Sequence, residues 1–108
     1  MNSTAKDIFG ELERGIGQGG RVALATVAAT HGSTPQVPGA RLLIFEDGRM
    51  VGTVGGGCVE AEVYAEAREV LRTGRAGLFR FTLTADTAQD EGMVCGGTME
   101  IFIEVWGC

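Results

Sequence analysis

Apolar residues recur along this chain with two different periods, and the switches between them mark out its elements. Ile8, Phe9, Leu12 and Ile16 fall at helical spacing, with Ser3 or Thr4 as candidate N-cap and Gly17 or Gly19 as stop. Arg21–Thr30 carries no charge beyond its first residue. Its length between glycine-rich flanks predicts a strand covered on both faces, although its alanines leave a helical reading open. His31–Gly39 is dense in turn formers and reads as a loop. Ala40–Phe45 and Met50–Val54 flank Glu46, Asp47, Gly48 and Arg49, a hairpin signal carried by the Asp-Gly pair. Val59, Val63, Ala67, Val70 and Leu71 then mark one face of a helix ending near Gly74. Its acids Glu60 and Glu62 come first and Arg68 and Arg72 last, the sense that complements the helix dipole.

Phe79, Phe81 and Leu83 alternate with Arg80, Thr82 and Thr84, which predicts a half-buried strand. Ala85–Gly97 has no apolar period and reads as a long loop. Met99, Ile101, Ile103 and Val105 alternate with Glu100, Phe102 and Glu104 in a last strand. No repeat or linker interrupts this order. It predicts one compact α/β domain over residues 1–108, with a mixed β-sheet of about five strands and two main helices.

Composition narrows the function. A chain of 108 residues can bury roughly two-thirds of its unfolded surface, enough for a single core. The net charge of −5 argues against nucleic acid, because phosphate contacts need a basic face. No Lys/Arg run suggests a membrane surface, and no stretch is long and apolar enough to span a bilayer. The N-terminus lacks the apolar core of a signal peptide. Three widely spaced cysteines do not read as a disulfide framework, so reduced thiols in the cytoplasm fit best.

The chemistry concentrates in Val54–Glu60. Gly55, Gly56 and Gly57 leave an apolar strand, and Cys58 and Glu60 open a helix. Glycine lets backbone N–H groups crowd onto a ligand, and a helix N-terminus adds donors and positive potential that suit an anion. A thiol at that position ionises more readily than a free one. The plainer reading is that the glycines only permit a tight strand-to-helix turn. A P-loop is excluded because no Gly-Lys-Ser/Thr follows the glycines. The dinucleotide fingerprint fails because Glu60 stands where its third glycine belongs, and Leu78–Leu83 lacks an acidic end to hold a ribose.

Cys95 precedes Gly96 and Gly97, so it too lies where backbone can approach a ligand closely. If the two loops meet, Cys58 and Cys95 can share one pocket for a soft metal or a sulfur-bearing group. Zinc is disfavoured, since no C-x-x-C pair exists and His31 is the one histidine. Arg41 can neutralise an oxyanion or simply face outward from its strand. Glu60 can cap its helix or accept a hydrogen bond from a heterocycle. His31 can carry protons or be solvated, and Asp86, Asp90 and Glu91 read as a solvated loop.

Several motifs occur together in order: Gly32-Ser33-Thr34-Pro35, Pro38-Gly39-Ala40-Arg41, Asp47-Gly48, Gly52 through Glu60, and Cys95-Gly96-Gly97. In this combination the chain resembles the XdhC/CoxI family from about Val22 to Val105. The resemblance implies an accessory protein, not an enzyme. Such a protein binds molybdenum cofactor (molybdopterin) transiently and assists its sulfuration and insertion into a molybdenum hydroxylase of the xanthine dehydrogenase, aldehyde oxidase or carbon monoxide dehydrogenase type. The implied partners are the apo-molybdenum hydroxylase and a cysteine desulfurase, with a homodimer possible. The implied cofactor contacts are Gly55, Gly56, Gly57, Cys58 and Glu60, with Ser33, Pro35, Arg41, Cys95 and Gly96 as a second set, and Cys58 as the metal ligand. Gln36 departs from the arginine that the family often has there, which removes one positive charge. Family members often continue into a second, Rossmann-like domain, whereas this chain stops at Cys108 and reads as a single-domain member or a fragment.

Two other classes compete with this reading. A small thiol oxidoreductase or sulfur transferase would use Cys58 as nucleophile and Cys95 as resolving thiol. It predicts a Cys58–Cys95 disulfide or a persulfide under mild oxidation, and mass spectrometry of trapped thiols detects or excludes either. A structural interaction module instead predicts that Cys58→Ala leaves all cofactor-dependent behaviour unchanged.

Overall fold

The computed structural model describes residues 5–17, 20–32, 34, 37–54, 59–83 and 97–107. The elements run α1 (Ala5–Gly17), β1 (Arg21–His31), β2 (Arg41–Phe45), β3 (Met50–Gly52), α2 (Glu60–Thr73), β4 (Gly77–Thr82) and β5 (Thr98–Gly107). The strands form one sheet in the order β3-β2-β1-β5-β4. Two helices and five strands match the sequence expectation. The sheet is not mixed, because each of its four pairings is antiparallel. A helix between two strands suggests a parallel neighbour pair. Here β3 and β4 do run in the same sense, but α2 carries the chain from one edge of the sheet to the other. β5 then inserts between β1 and β4 and runs against both.

β1 is covered on both faces from Val22 to Val27, while Ala28 is exposed and the last part of the expected run is only partly covered. Successive side chains of a strand point to opposite faces. Val22 and Leu24 therefore pack with Ile8 and Leu12 of α1 and with Leu43 and Phe45 of β2. Ala23, Ala25 and Val27 pack on the other face with Val63, Ala67, Val70 and Leu71 of α2 and with Met99, Ile101 and Ile103 of β5. The core is apolar: among the described residues no polar or charged residue is buried. α1 covers the β1–β2–β3 side of its face, and Leu78, Phe102 and Trp106 on β4 and β5 stay exposed.

α2 is fastened at its far end by Arg21. The guanidinium Nη1 donates to Leu71 O at 2.9 Å, one of the carbonyls a helix C-terminus leaves without an intrahelical partner. Gly74 closes the helix in the left-handed region, its N–H donating to Val70 O at 2.7 Å. The hairpin turns as expected, with Gly48 N–H donating to Phe45 O at 2.9 Å.

β3 ends two residues earlier than its apolar pattern suggests. Gly52 has φ 96°, a conformation L side chains rarely adopt, and a Cβ there would stand 2.5 Å from Arg41 O. The chain leaves the sheet at that point. Gly52→Ala is expected to lower stability by about 2 kcal/mol or more through backbone strain and this clash, read as a drop in the urea midpoint. An unchanged midpoint would show that the conformation at Gly52 is not required.

Candidate functional site

Three connections are anchored at one end of the sheet. His31, the last residue of β1, pairs with Thr98, the first of β5, and Thr98 also pairs with Thr82 at the end of β4. Leu83 N–H donates to Gly97 O at 2.9 Å just beyond. Arg41 opens β2 and Gly52 closes β3 on the neighbouring strands, and Thr53 N–H donates to Arg41 O at 3.0 Å. Residues that bracket 32–40, 53–59 and 83–97 therefore lie together, at the end where α2 begins. Ala40, Val54, Val59 and Leu83 all pack into the α2-side core, which fixes these anchors to one another. Gly32, with φ 75°, comes close enough to Gly97 that a Cβ would stand 3.2 Å from its Cα.

Eight of the residues expected to contact a ligand lie outside the described residues: Gly55, Gly56, Gly57, Cys58, Ser33, Pro35, Cys95 and Gly96. So do Gln36, Asp86, Asp90, Glu91 and Cys108. The two that are described, Glu60 and Arg41, stand in different surroundings. Glu60 is the first residue of α2, and its Oε2 accepts a hydrogen bond from Thr53 Oγ1 at 2.8 Å. Arg41 turns to the α1 face, with its guanidinium carbon 5.3 Å from the Phe9 ring centroid and Nη1 donating to Gly39 O at 3.3 Å. Its main chain adjoins Thr53, but its side chain lies on the face away from α2.

The start of α2 carries no side-chain cap, because the N-cap residue is Val59, which has no acceptor. Its backbone carbonyl accepts the first helical bond, from Val63 N–H at 3.0 Å. First-turn N–H groups at such a terminus suit an anion or a thiolate. Val59 itself is buried, so the helix start is set by packing.

His31 is exposed, and its Nε2 stands 3.6 Å from Glu100 Oε2, which also pairs with Arg80 at 3.1 Å. Exposed pairs of this kind contribute at most about 1 kcal/mol. Among the described residues no group of three or more His, Cys, Asp and Glu is placed to hold a metal. Thr53 lies within the Gly52–Glu60 motif, but the sequence assigned it no role; its hydroxyl's contact with Glu60 comes from the structure.

The model of the XdhC and CoxI family matches residues 16–82. The uncharacterized protein YqeB of Escherichia coli strain K12 is 37% identical over 101 residues, 94% of this chain and 18% of YqeB. The molybdenum cofactor insertion chaperone PaoD of the same strain is 40% identical over 58 residues, 54% of this chain and 18% of PaoD. A xanthine dehydrogenase from Bacillus halodurans has a crystal structure that matches with a TM-score of 0.70 at 25% identity, over 89% of this chain and 29% of that one. The chain thus spans 18% of the length of each of these two curated relatives.

Proposed function

The chain belongs to the XdhC and CoxI family, and on that premise we propose that it is a maturation factor that binds molybdenum cofactor and assists its sulfuration and insertion into a molybdenum hydroxylase. The observation that carries this reading is the shared anchoring of its three candidate connections beside an α2 N-terminus without a side-chain cap. The donor chemistry suits the group. Backbone N–H groups at a helix start and after glycines donate to phosphate oxygens, and a thiol is a suitable partner for a soft metal–sulfur centre. When bound, the cofactor supplies the molybdenum centre and its sulfur ligands.

In this reading Gly55, Gly56, Gly57 and the α2 start hold the anionic end, and Cys58 approaches the metal or its sulfur. Ser33, Pro35, Cys95 and Gly96 come from the two neighbouring connections. Arg41 contributes charge from the α1 face. The protein works in the cytoplasm, where thiols stay reduced. It receives sulfur by way of a cysteine desulfurase and hands the cofactor to the apo-enzyme without turning over a substrate of its own. PaoD, named as a molybdenum cofactor insertion chaperone, supports the same role.

Anaerobic titration of purified molybdenum cofactor into the wild type, Cys58→Ala and Cys95→Ala tests this. Cys58→Ala is expected to weaken binding about tenfold or more, the loss of roughly 1.4 kcal/mol, and Cys95→Ala by less. Absence of binding by the wild type would overturn the carrier role for this chain.

A further inference from the structure

The segment that carries the glycine triplet and Cys58 is bracketed by two layers of contact. Val54 and Val59, immediately on either side, are almost wholly buried in the α2-side core. Outside them, Thr53 is tied to β2 through its N–H on Arg41 O and to α2 through its hydroxyl on Glu60 Oε2. The Thr53–Glu60 hydrogen bond therefore joins the end of β3 directly to the first residue of α2 across the intervening segment.

A carboxylate in the first turn of a helix often folds back onto the helix's own N–H groups. Here the Glu60 carboxylate reaches across to β3. We propose that Thr53 and Glu60 are positioning residues: a strut that sets the separation between the residue after β3 and the first residue of α2. This inference rests on the cofactor-binding reading for its functional consequence, but not for its structural one. It gives Glu60 a role other than helix cap or ligand contact, and it gives a role to Thr53, a member of the Gly52–Glu60 motif to which the sequence assigned none.

A hydrogen bond to a charged group is stronger than a neutral one, and solvent exposure weakens it. Thr53 is exposed and Glu60 half-buried, so loss of the strut should speed local opening by about three- to tenfold, taking 0.7–1.4 kcal/mol at the exposed end.

A double-mutant cycle reads this out. Amide hydrogen exchange is measured for Thr53→Val, Glu60→Ala and the double variant, with Thr53→Ser and Glu60→Gln as variants that keep a donor and an acceptor. Exchange at the Thr53 and Val63 amides, bonded to Arg41 O and Val59 O, is expected to rise about three- to tenfold in each disruptive single variant and no further in the double, while β1 and β5 amides stay unchanged. Thr53→Ser and Glu60→Gln should remain within about twofold of wild type. Unchanged exchange in Thr53→Val, multiplying effects in the double variant, or failure of Thr53→Ser to preserve protection would each overturn the strut.

Cofactor titration of the same variants separates the two claims. Weakened binding in Thr53→Val, restored in Thr53→Ser, supports the positioning role at the site. Full binding by a variant whose exchange has risen would overturn that role. Absence of binding by the wild type, with the exchange cycle still coupled, would remove the carrier reading and leave the strut standing.

Discussion

The constraint on which the rest of this structure depends is the burial of β1 on both faces. Val22 and Leu24 belong to the α1 core, and Ala23, Ala25 and Val27 to the α2 core. A slip of one residue in its pairing would exchange the two sets, placing alanines against α1 and larger side chains against α2. β1 also pairs along ten positions with β5 and along five with β2, so its register fixes the whole central sheet. The small residues Ala23, Ala25 and Ala67 allow α2 to lie close, and close packing then sets the position of both helix ends.

That rigidity is transmitted to the candidate site by two devices. At one end of α2, Arg21 reaches from the start of β1 to the Leu71 carbonyl. At the other, buried Val54 and Val59 hold the chain where it leaves β3 and enters the helix. The register of β1 with β5 shifts between Val27 and Ala29, and a bulge of this sort bends and twists a strand near its end. On its other edge, Val27 exchanges backbone hydrogen bonds with Gly39 and Ala40 of the first connection. The site end of the sheet is thus tied by main-chain bonds on both sides of β1.

Electrostatics plays a smaller part than the charge count suggests. The charged pairs among the described residues lie on the surface, where solvent screens them. The acidic residues Glu60 and Glu62 face the positive end of the α2 dipole, and Arg72 faces the other. Arg41, a natural candidate to balance a bound anion, instead spreads over Phe9, since its position in β2 puts it on the same face as Leu43 and Phe45. Strand parity decides that outcome, and it follows from the two-residue period once the neighbours of Leu42 are known.

Local pattern by itself determined much of this protein. The helical spacing of Ile8, Leu12 and Ile16, the alternation of Phe79 and Phe81, the Asp47-Gly48 turn and the stop at Gly74 all express short-range physics: periodicity, turn chemistry and capping. The ordered glycine and cysteine motifs pointed to the family, because they are contiguous in the chain. Tertiary structure alone decided what depends on distant partners. It put β5 between β1 and β4, so that the sheet is antiparallel throughout. It ended β3 at Gly52, sent Arg41 to the α1 face, and joined Thr53 to Glu60. These outcomes turn on which strand edges meet and which faces are buried. Such contacts join separate elements, and the period within one element does not say which partners it meets.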